Sequence, residues 1–140
     1  MLISRVGTAC NPAYTPVRVD RTVGSMLGNP YVLRWGAQGE QRDAVCNAYE
    51  DLFCESIAFG IDGVLPAARV AEIGARYGYT DAPRPWNSGA AARAFYRLRE
   101  RVRGGERIAL MCHCAPRRCH AESLASRMPS DVRLVEGDRW

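Results

Sequence analysis

The sequence contains no Lys, and its uncharged segments are short. All 19 basic residues are Arg, which indicates a GC-rich genome rather than a particular chemistry, and the formal net charge is +4. The longest uncharged runs, Val6–Val17 and Thr22–Leu33, have 12 residues each. A membrane-spanning helix needs about 18 or more apolar residues. We therefore expect no transmembrane segment and no membrane partner.

The sequence also lacks internal repeats, low-complexity segments and a charged stretch ahead of an apolar N-terminal core. Residues 1–5 therefore do not resemble a signal peptide. Hydrophobic residues make up 47% of the chain and charged residues 24%, a balance typical of a globular protein rather than a disordered chain or coiled coil. Because 140 residues are the size of one domain, we predict a single domain over residues 1–140.

The six Cys are not distributed as a disulfide framework. Cys46 and Cys54 fall within one helical pattern, and three further Cys crowd together at positions 112, 114 and 119. Small disulfide-rich secreted domains instead spread their Cys among distant loops. We therefore expect a reducing, cytoplasmic environment. Cys10, Cys46 and Cys54 are then predicted to be buried thiols, and the cluster indicates a reactive or metal site.

Hydrophobic periodicity predicts an α/β fold. Short strands are predicted near residues 1–6, 17–21 and 132–135, and the apolar run at 108–112 is typical of a buried parallel strand. Helices are predicted over about 41–58, from Pro66 to Gly78, over 88–103 with Ser88 as the N-cap, and over 119–127. This order favours a mostly parallel sheet flanked by helices, a Rossmann-like layering. Residues 1–16 would form an N-terminal strand and loop, and residues 79–88 an irregular linker.

Arg residues are concentrated in one predicted helix. Between Arg93 and Arg107 there are six Arg and only two Glu, so this stretch carries a net charge equal to that of the whole chain. Arg93, Arg97 and Arg101 would stack on one side of the helix, and Arg99 and Arg103 on another. Two interpretations stay open, a face that binds the phosphates of nucleotides or nucleic acid and an ordinary solvated face.

The segment Cys112–His120 concentrates three Cys, two His and two Arg between a predicted strand and a predicted helix. Ligands of open α/β sheets bind beyond the carboxyl ends of strands, and a helix N-terminus lowers the pKa of a nearby thiol. A first interpretation is therefore a cysteine enzyme. Cys114 or Cys119 would be its nucleophile, His120 an acid or base, and Arg118 a ligand of substrate oxyanions.

Three other interpretations of this segment stay open. The spacing Cys112-x5-Arg118 is that of cysteine phosphatase loops, although the segment has no Gly and Pro116 removes one N–H donor. Alternatively, Cys112, Cys114, Cys119 and His120 would form a zinc site, since four nitrogen and sulfur ligands suit structural zinc. Finally, the thiols would simply fill a sheet–helix junction while the Arg and His face water.

A second motif, Gly24–Tyr31, contains Gly28 and Asn29 and would form a pocket rim or an ordinary turn. The two motifs together resemble the small phage and bacterial family known as domain of unknown function 4326. The matching segments are Val17–Arg21, Gly24–Tyr31, Arg42 with Tyr49, and Cys112–Leu124. Two positions depart from the family pattern, His113 in place of an aromatic residue and Ala121 in place of Gly.

This resemblance implies a small α/β fold with a Cys/His site and a phage setting, hence nucleotide, nucleoside or DNA-base metabolism in the host cytoplasm. Both motifs would then face one pocket for a phosphate- or ribose-bearing molecule. This molecule would be bound by Arg21, Gly28, Asn29, Arg42, Tyr49 and Arg118. The enzyme would need no cofactor. The alternative is a zinc-stabilised module that binds nucleic acid or a host protein through Arg93, Arg97 and Arg101.

Overall fold

The structure of the protein is a computed structural model. It describes residues 2–5, 12–19, 26–32, 40–112, 120–128 and 135–136. Of residues 2–5, 40, 112 and 135–136 it describes the backbone alone. The chain forms two compact units. The first is built from residues 1–28 and 95–140, and the second from residues 29–94.

The first unit contains a parallel sheet of four described strands. They are β1 (Leu2–Arg5), β2 (Thr15–Arg18), β3 (Ile108–Cys112) and β4 (Val135–Glu136), in the order β2-β3-β1-β4. Leu2 pairs with Ala109 of β3 and with Val135 of β4, and Thr15 pairs with Ile108. Ile108, Ala109 and Leu110 have no exposed surface. An interior strand of a parallel sheet is covered on both faces, which explains why this segment is continuously apolar. The strand predicted at 108–112 is therefore confirmed.

The second unit is built on two helices, α1 (Glu40–Phe59) and α2 (Ala67–Arg76). Their apolar faces pack around Tyr31, Leu52 and Ile73, which have no exposed surface. Tyr77, Tyr79 and Trp86 pack against this core. Residues 79–87 form neither helix nor strand. The chain leaves α2 through Gly78, whose φ of 85° lies in the left-handed region that glycine adopts without strain.

Helix α3 (Ser88–Arg103) runs from the second unit into the first, and a short helix α4 (Ala121–Ala125) follows later in the first unit. The start of α3 corrects one prediction. Asn87, not Ser88, caps the helix, because its Oδ1 accepts a hydrogen bond from the Ala90 amide at 2.9 Å. The Ser88 hydroxyl instead accepts from the Leu65 amide at 2.8 Å.

The predicted mixed α/β class with a parallel sheet is confirmed, and helices contain more of the described residues than strands do. The prediction of buried thiols is wrong for one of the three Cys. Cys46 is buried but Cys54 is exposed. Cys54 follows Cys46 by eight positions on α1 and lies outside the apolar stripe that contains Val45, Tyr49 and Leu52. Cys10 lies outside the described residues. None of the described helices is both long enough and apolar enough to cross a membrane.

Candidate functional site

The carboxyl ends of β1 and β3 lie side by side, because Arg5 pairs with Cys112. The connection that follows β1 passes β3 to reach β2, and the connection that follows β3 passes β1 to reach β4. In open parallel sheets, the crevice that binds ligands lies where two neighbouring strands are followed by connections in opposite directions. The Cys/His segment therefore begins at the topological switch point of this sheet.

His120 ties the start of α4 to the same edge of the sheet. Its side chain is buried, with 5% of its surface exposed, and its Nε2 is hydrogen-bonded to the carbonyl oxygen of Val19. Val19 follows β2, and its amide donates to the Met111 carbonyl of β3 at 3.0 Å. The imidazole is thus held beside the carboxyl ends of β2 and β3.

The partner of Nε2 fixes the chemistry of the ring. A carbonyl oxygen only accepts hydrogen bonds, so Nε2 carries a proton. In the neutral imidazole Nδ1 is then the nitrogen with the lone pair. Any role of His120 as a base or as a metal ligand therefore falls to Nδ1.

The helix after the Cys/His segment is shorter than predicted. It was expected over residues 119–127, but α4 spans only Ala121–Ala125, with His120 at its N-cap position. The field at a helix terminus is the sum of aligned peptide dipoles, and five residues contribute few of them. The helix dipole therefore offers little activation of a neighbouring thiol, and basic side chains are left as the main source of positive charge.

Several predicted site residues lie outside the described part of the chain. They are Arg21, Cys114, Arg118 and Cys119. Of Cys112 only the backbone is described, at the end of β3. The convergence of the thiols with His120 therefore stays a prediction. Among the described residues, no three His, Cys, Asp or Glu side chains lie close enough together to hold a metal ion.

The Gly-Asn-Pro-Tyr motif holds the second unit together. Asn29 is buried, its Nδ2 donates to the Val45 carbonyl of α1 at 3.0 Å, and its Oδ1 accepts from the Tyr31 amide at 2.9 Å. The Tyr31 hydroxyl donates to the Val70 carbonyl of α2 at 2.6 Å. Both polar groups of the Asn29 side chain thus bond to the backbone of their own unit. Gly28, just before them, is half-buried.

Arg42 and Tyr49 lie seven residues apart on α1, and hence on the same side of that helix. Arg42 is half-buried, whereas Tyr49 has no exposed surface. The Tyr49 ring stacks on Phe53 with centroids 6.1 Å apart and meets Trp86 edge-on at 5.9 Å. These contacts give Tyr49 a structural role in the second unit.

The sequence matches the model of the family "Domain of unknown function (DUF4326)" over residues 4–130. The chain belongs to this family. The resemblance seen in the two sequence motifs is therefore confirmed. No curated protein and no solved structure matches the chain significantly.

The three Arg predicted to form a nucleic-acid face of this DUF4326 protein have different surroundings. The Arg93 guanidinium donates to the Ile61 carbonyl. Arg101 forms an ion pair with Glu106, in which Nε lies 3.0 and 3.1 Å from the two carboxylate oxygens. This pairing raises the pKa of Arg101 and lowers the pKa of Glu106. Arg97 is exposed and forms no ion pair within the described ranges, so the three side chains are not equivalent.

A charged cluster that no sequence motif indicated lies between α1 and α2 of the DUF4326 protein. The Arg69 guanidinium forms an ion pair with Glu55 of α1 and another with Glu72, at 2.9 Å, within α2. Arg76 lies 3.9 Å from Asp51 and 4.0 Å from Glu55, and the Tyr77 hydroxyl donates to Asp51. The hydrogen bonds from Arg69 lower the pKa of Glu55, and the bond to Asp51 raises the pKa of Tyr77.

We expect this cluster to make the second unit sensitive to acid. Because the pKa of Glu55 is below its ordinary value of 4.5, its contribution to stability is complete above that pH and is lost as the pH falls through the folded-state pKa. The Arg69→Gln variant should therefore be slightly less stable than wild type at pH 7, since half-exposed ion pairs contribute little. The difference should be smaller near pH 3 than at pH 7.

Urea denaturation of both proteins at the two pH values measures this difference. Arg84→Gln is the control, because it removes one exposed Arg of the same unit that forms no described ion pair. A difference between Arg69→Gln and wild type that is the same at pH 3 and pH 7 would contradict the assignment.

Two cavities of the DUF4326 protein lie within its second unit. One, of about 220 Å³, lies between the first turns of α1 and residues 78–81. The other, of about 680 Å³, lies between α2 and residues 80–86. Of the predicted site residues that the structure describes, none lines either of them. Asn29 and Tyr49 have packing contacts in this unit, and substrate binding by Asn29, Arg42 and Tyr49 stays a prediction. The candidate site that the sheet topology indicates is the edge of the first unit.

Proposed function

We propose that the protein is a small cytoplasmic enzyme of nucleotide, nucleoside or DNA-base metabolism, with a cysteine nucleophile in its Cys/His segment. The observation that supports this proposal most is the position of Cys112. It ends an interior parallel strand, at the point where the connections after β1 and β3 run in opposite directions. We further infer a Rossmann-like layering of helices around this sheet, which would close the crevice from both sides.

The roles of the side chains follow from the contacts of His120. With Nε2 bonded to the Val19 carbonyl, Nδ1 is the nitrogen that accepts the proton of Cys114 or Cys119 as a base and later donates it as an acid. The thiolate forms a bond to the sugar carbon or the phosphorus of the substrate. The bond to the leaving group breaks at that centre, and the leaving group takes up the proton held at Nδ1. Water then attacks the same centre, the bond to sulfur breaks, and the cysteine thiol is restored.

Arg residues would bind the substrate at this edge. Arg118 belongs to the Cys/His segment, and Arg21 follows closely after β2. A guanidinium holds two phosphate oxygens at once, which suits a phosphate-bearing substrate. The uncharged ribose would be held by hydrogen bonds, which a structure with bound substrate would define.

The test combines thiol reactivity with turnover. Wild type, Cys114→Ser and Cys119→Ser are incubated with a panel of nucleosides and nucleoside monophosphates, and products are separated by chromatography. Iodoacetamide labelling at pH 6 then ranks the thiols. Cys54→Ser is the matched control, because Cys54 is an exposed thiol on α1. We expect one Cys of the segment to be alkylated faster than Cys54, and its Ser variant to lose turnover by more than about a hundredfold.

Full turnover in both Cys114→Ser and Cys119→Ser, with wild-type melting temperatures, would remove cysteine chemistry from the proposal. Turnover lost equally in Cys54→Ser would have the same meaning.

One observation supports a second candidate, a zinc-stabilised binding module. Histidines that bind a metal usually donate their other ring N–H to a carboxylate or backbone carbonyl, and His120 donates from Nε2 to Val19. Nδ1 would then join Cys112, Cys114 and Cys119 as the fourth ligand of a structural zinc ion. Such a module would bind nucleic acid or an acidic host protein.

Elemental analysis distinguishes the two candidates. About one zinc per chain, with a melting temperature that falls on chelation, supports the module. A protein without zinc whose segment Cys reacts rapidly at pH 6 supports the enzyme.

A further inference from the structure

We propose that one side of α3, formed by Tyr96, Arg99 and Arg103, binds single-stranded nucleic acid. These residues lie three, four and seven positions apart, and so share one side of the helix. All three belong to the first unit. They differ from the three Arg that the sequence indicated, and the inference is independent of the proposed cysteine chemistry, because none of them lies in the Cys/His segment.

The centre of this surface is a stacked pair. The Arg99 guanidinium carbon lies 5.1 Å from the centroid of the Tyr96 ring. The Tyr96 ring in turn meets the buried ring of Phe95 edge-on at 5.8 Å. Tyr96 and Arg99 are both half-buried. Phe95 therefore anchors the tyrosine ring, and the ring holds the guanidinium in place.

Within the described ranges, no ion pair neutralises the charge of Arg99. Its Nε is buried without a hydrogen-bond partner, and no acidic side chain of the described residues pairs with it. Arg101 on the same helix, in contrast, is paired with Glu106. Arg103 lies 2.9 Å from Glu100, but both side chains are more than half exposed, at 57% and 65%. Exposed ion pairs of this kind contribute little energy, so a phosphate can take the place of Glu100.

Single-stranded nucleic acid fits this combination better than other anions. Unstacked bases stack on aromatic rings and on guanidinium planes, while Arg side chains contact the neighbouring phosphates. A duplex keeps its bases stacked on one another and offers only phosphates. An acidic peptide or an anionic membrane would use the charges but not the Tyr96–Arg99 stack.

The test measures the binding of the full chain to a fluorescein-labelled oligothymidylate of about 12 nucleotides and to a duplex of the same length. Fluorescence anisotropy is recorded from 25 to 200 mM NaCl. We expect the single strand to bind more tightly than the duplex. Arg99→Gln should weaken binding about tenfold and reduce the slope of log K against log salt by about 0.7, the value for one phosphate contact with a single strand.

Tyr96→Leu separates stacking from charge. It removes the ring but no charge, so it should weaken binding several-fold and leave the salt slope unchanged. Two controls match the charge changes. Arg84→Gln removes one exposed positive charge from the other unit, and the double variant Arg101→Gln/Glu106→Gln removes an ion pair without changing the net charge. Both should change affinity less than twofold.

Three results would overturn the proposal. The first is the absence of saturable binding to the oligonucleotide at 25 mM NaCl. The second is an equal loss of affinity in Arg84→Gln and Arg99→Gln, which would indicate general charge attraction. The third is an unchanged affinity in Tyr96→Leu. Circular dichroism of each variant shows whether a loss of binding comes from unfolding.

Discussion

Replacing Tyr31 by Ala is expected to lower the free energy of unfolding by about 3–5 kcal/mol, as for other large buried aromatic residues. Tyr31 has no exposed surface, meets Tyr79 edge-on with centroids 5.4 Å apart, and donates its hydroxyl to the Val70 carbonyl at 2.6 Å. Burial also raises the pKa of its hydroxyl well above the ordinary value of 10.0, so this donor keeps its proton at neutral pH. The Ala variant loses the packing and the hydrogen bond together.

Two further variants make this measurement specific. Tyr31→Phe keeps the ring and loses only the hydroxyl, so it should cost about 1–2 kcal/mol. Met26→Ala changes an exposed apolar side chain and should stay within about 0.5 kcal/mol of wild type. Urea denaturation followed by tryptophan fluorescence reports on this core, because Trp86 packs against it. A loss below about 1 kcal/mol in Tyr31→Ala would contradict the structural role of the Gly-Asn-Pro-Tyr motif.

His120→Ala is expected to destabilise the first unit by about 2–4 kcal/mol. The substitution empties a buried site beside Ala121 and Leu124, which have no exposed surface. It also removes the partner of the Val19 carbonyl, and a buried carbonyl left without a partner costs free energy. Because Val19 continues the pairing of β2 with β3, the damage would fall on the edge of the sheet where the Cys/His segment begins.

His120→Gln separates the structural role of this residue from its chemical one. The Gln side-chain nitrogen can donate to Val19 as Nε2 does, but Gln offers no basic nitrogen in the place of Nδ1. We therefore expect His120→Gln to recover at least half of the stability lost in His120→Ala. It should recover neither the fast alkylation of the segment thiol at pH 6 nor, if the protein holds zinc, the metal content. Recovery of both properties in His120→Gln would show that Nδ1 has no part in the site.

The parts of the fold that were predicted well are those with long or continuous apolar patterns. Helix α1 was expected over residues 41–58 and spans Glu40–Phe59, and β3 was expected and found at Ile108–Cys112. The errors lie at element ends. Asn87 and Ser88 are both good N-cap residues, and only the tertiary hydrogen bond from the Leu65 amide to Ser88 decides between them. Helix α4 is too short for periodicity to define its ends.

The candidate site was less predictable, because its contacts join distant parts of the chain. The hydrogen bond from His120 to Val19 spans 101 residues, and no spacing rule reveals it. The amide of Asn29 was interpreted as a ligand for substrate. Since the same amide can bond to backbone groups, sequence chemistry alone does not separate the two roles. The two Glu that engage Arg101 and Arg103 were visible in the sequence, but which Arg stays unpaired depends on side-chain geometry.

The strand order also has a consequence for synthesis on the ribosome. Strand β1 is made first, yet both of its neighbours in the sheet, β3 and β4, are made after residue 107. Residues 29–94 form one continuous unit, which can therefore fold while the rest of the chain is still being translated. Until β3 emerges, β1 exposes both unpaired edges, the situation in which nascent chains aggregate or recruit chaperones. A chain released before Glu136 would carry the helical unit but not the completed sheet, so we expect truncated products to be stable in part and inactive.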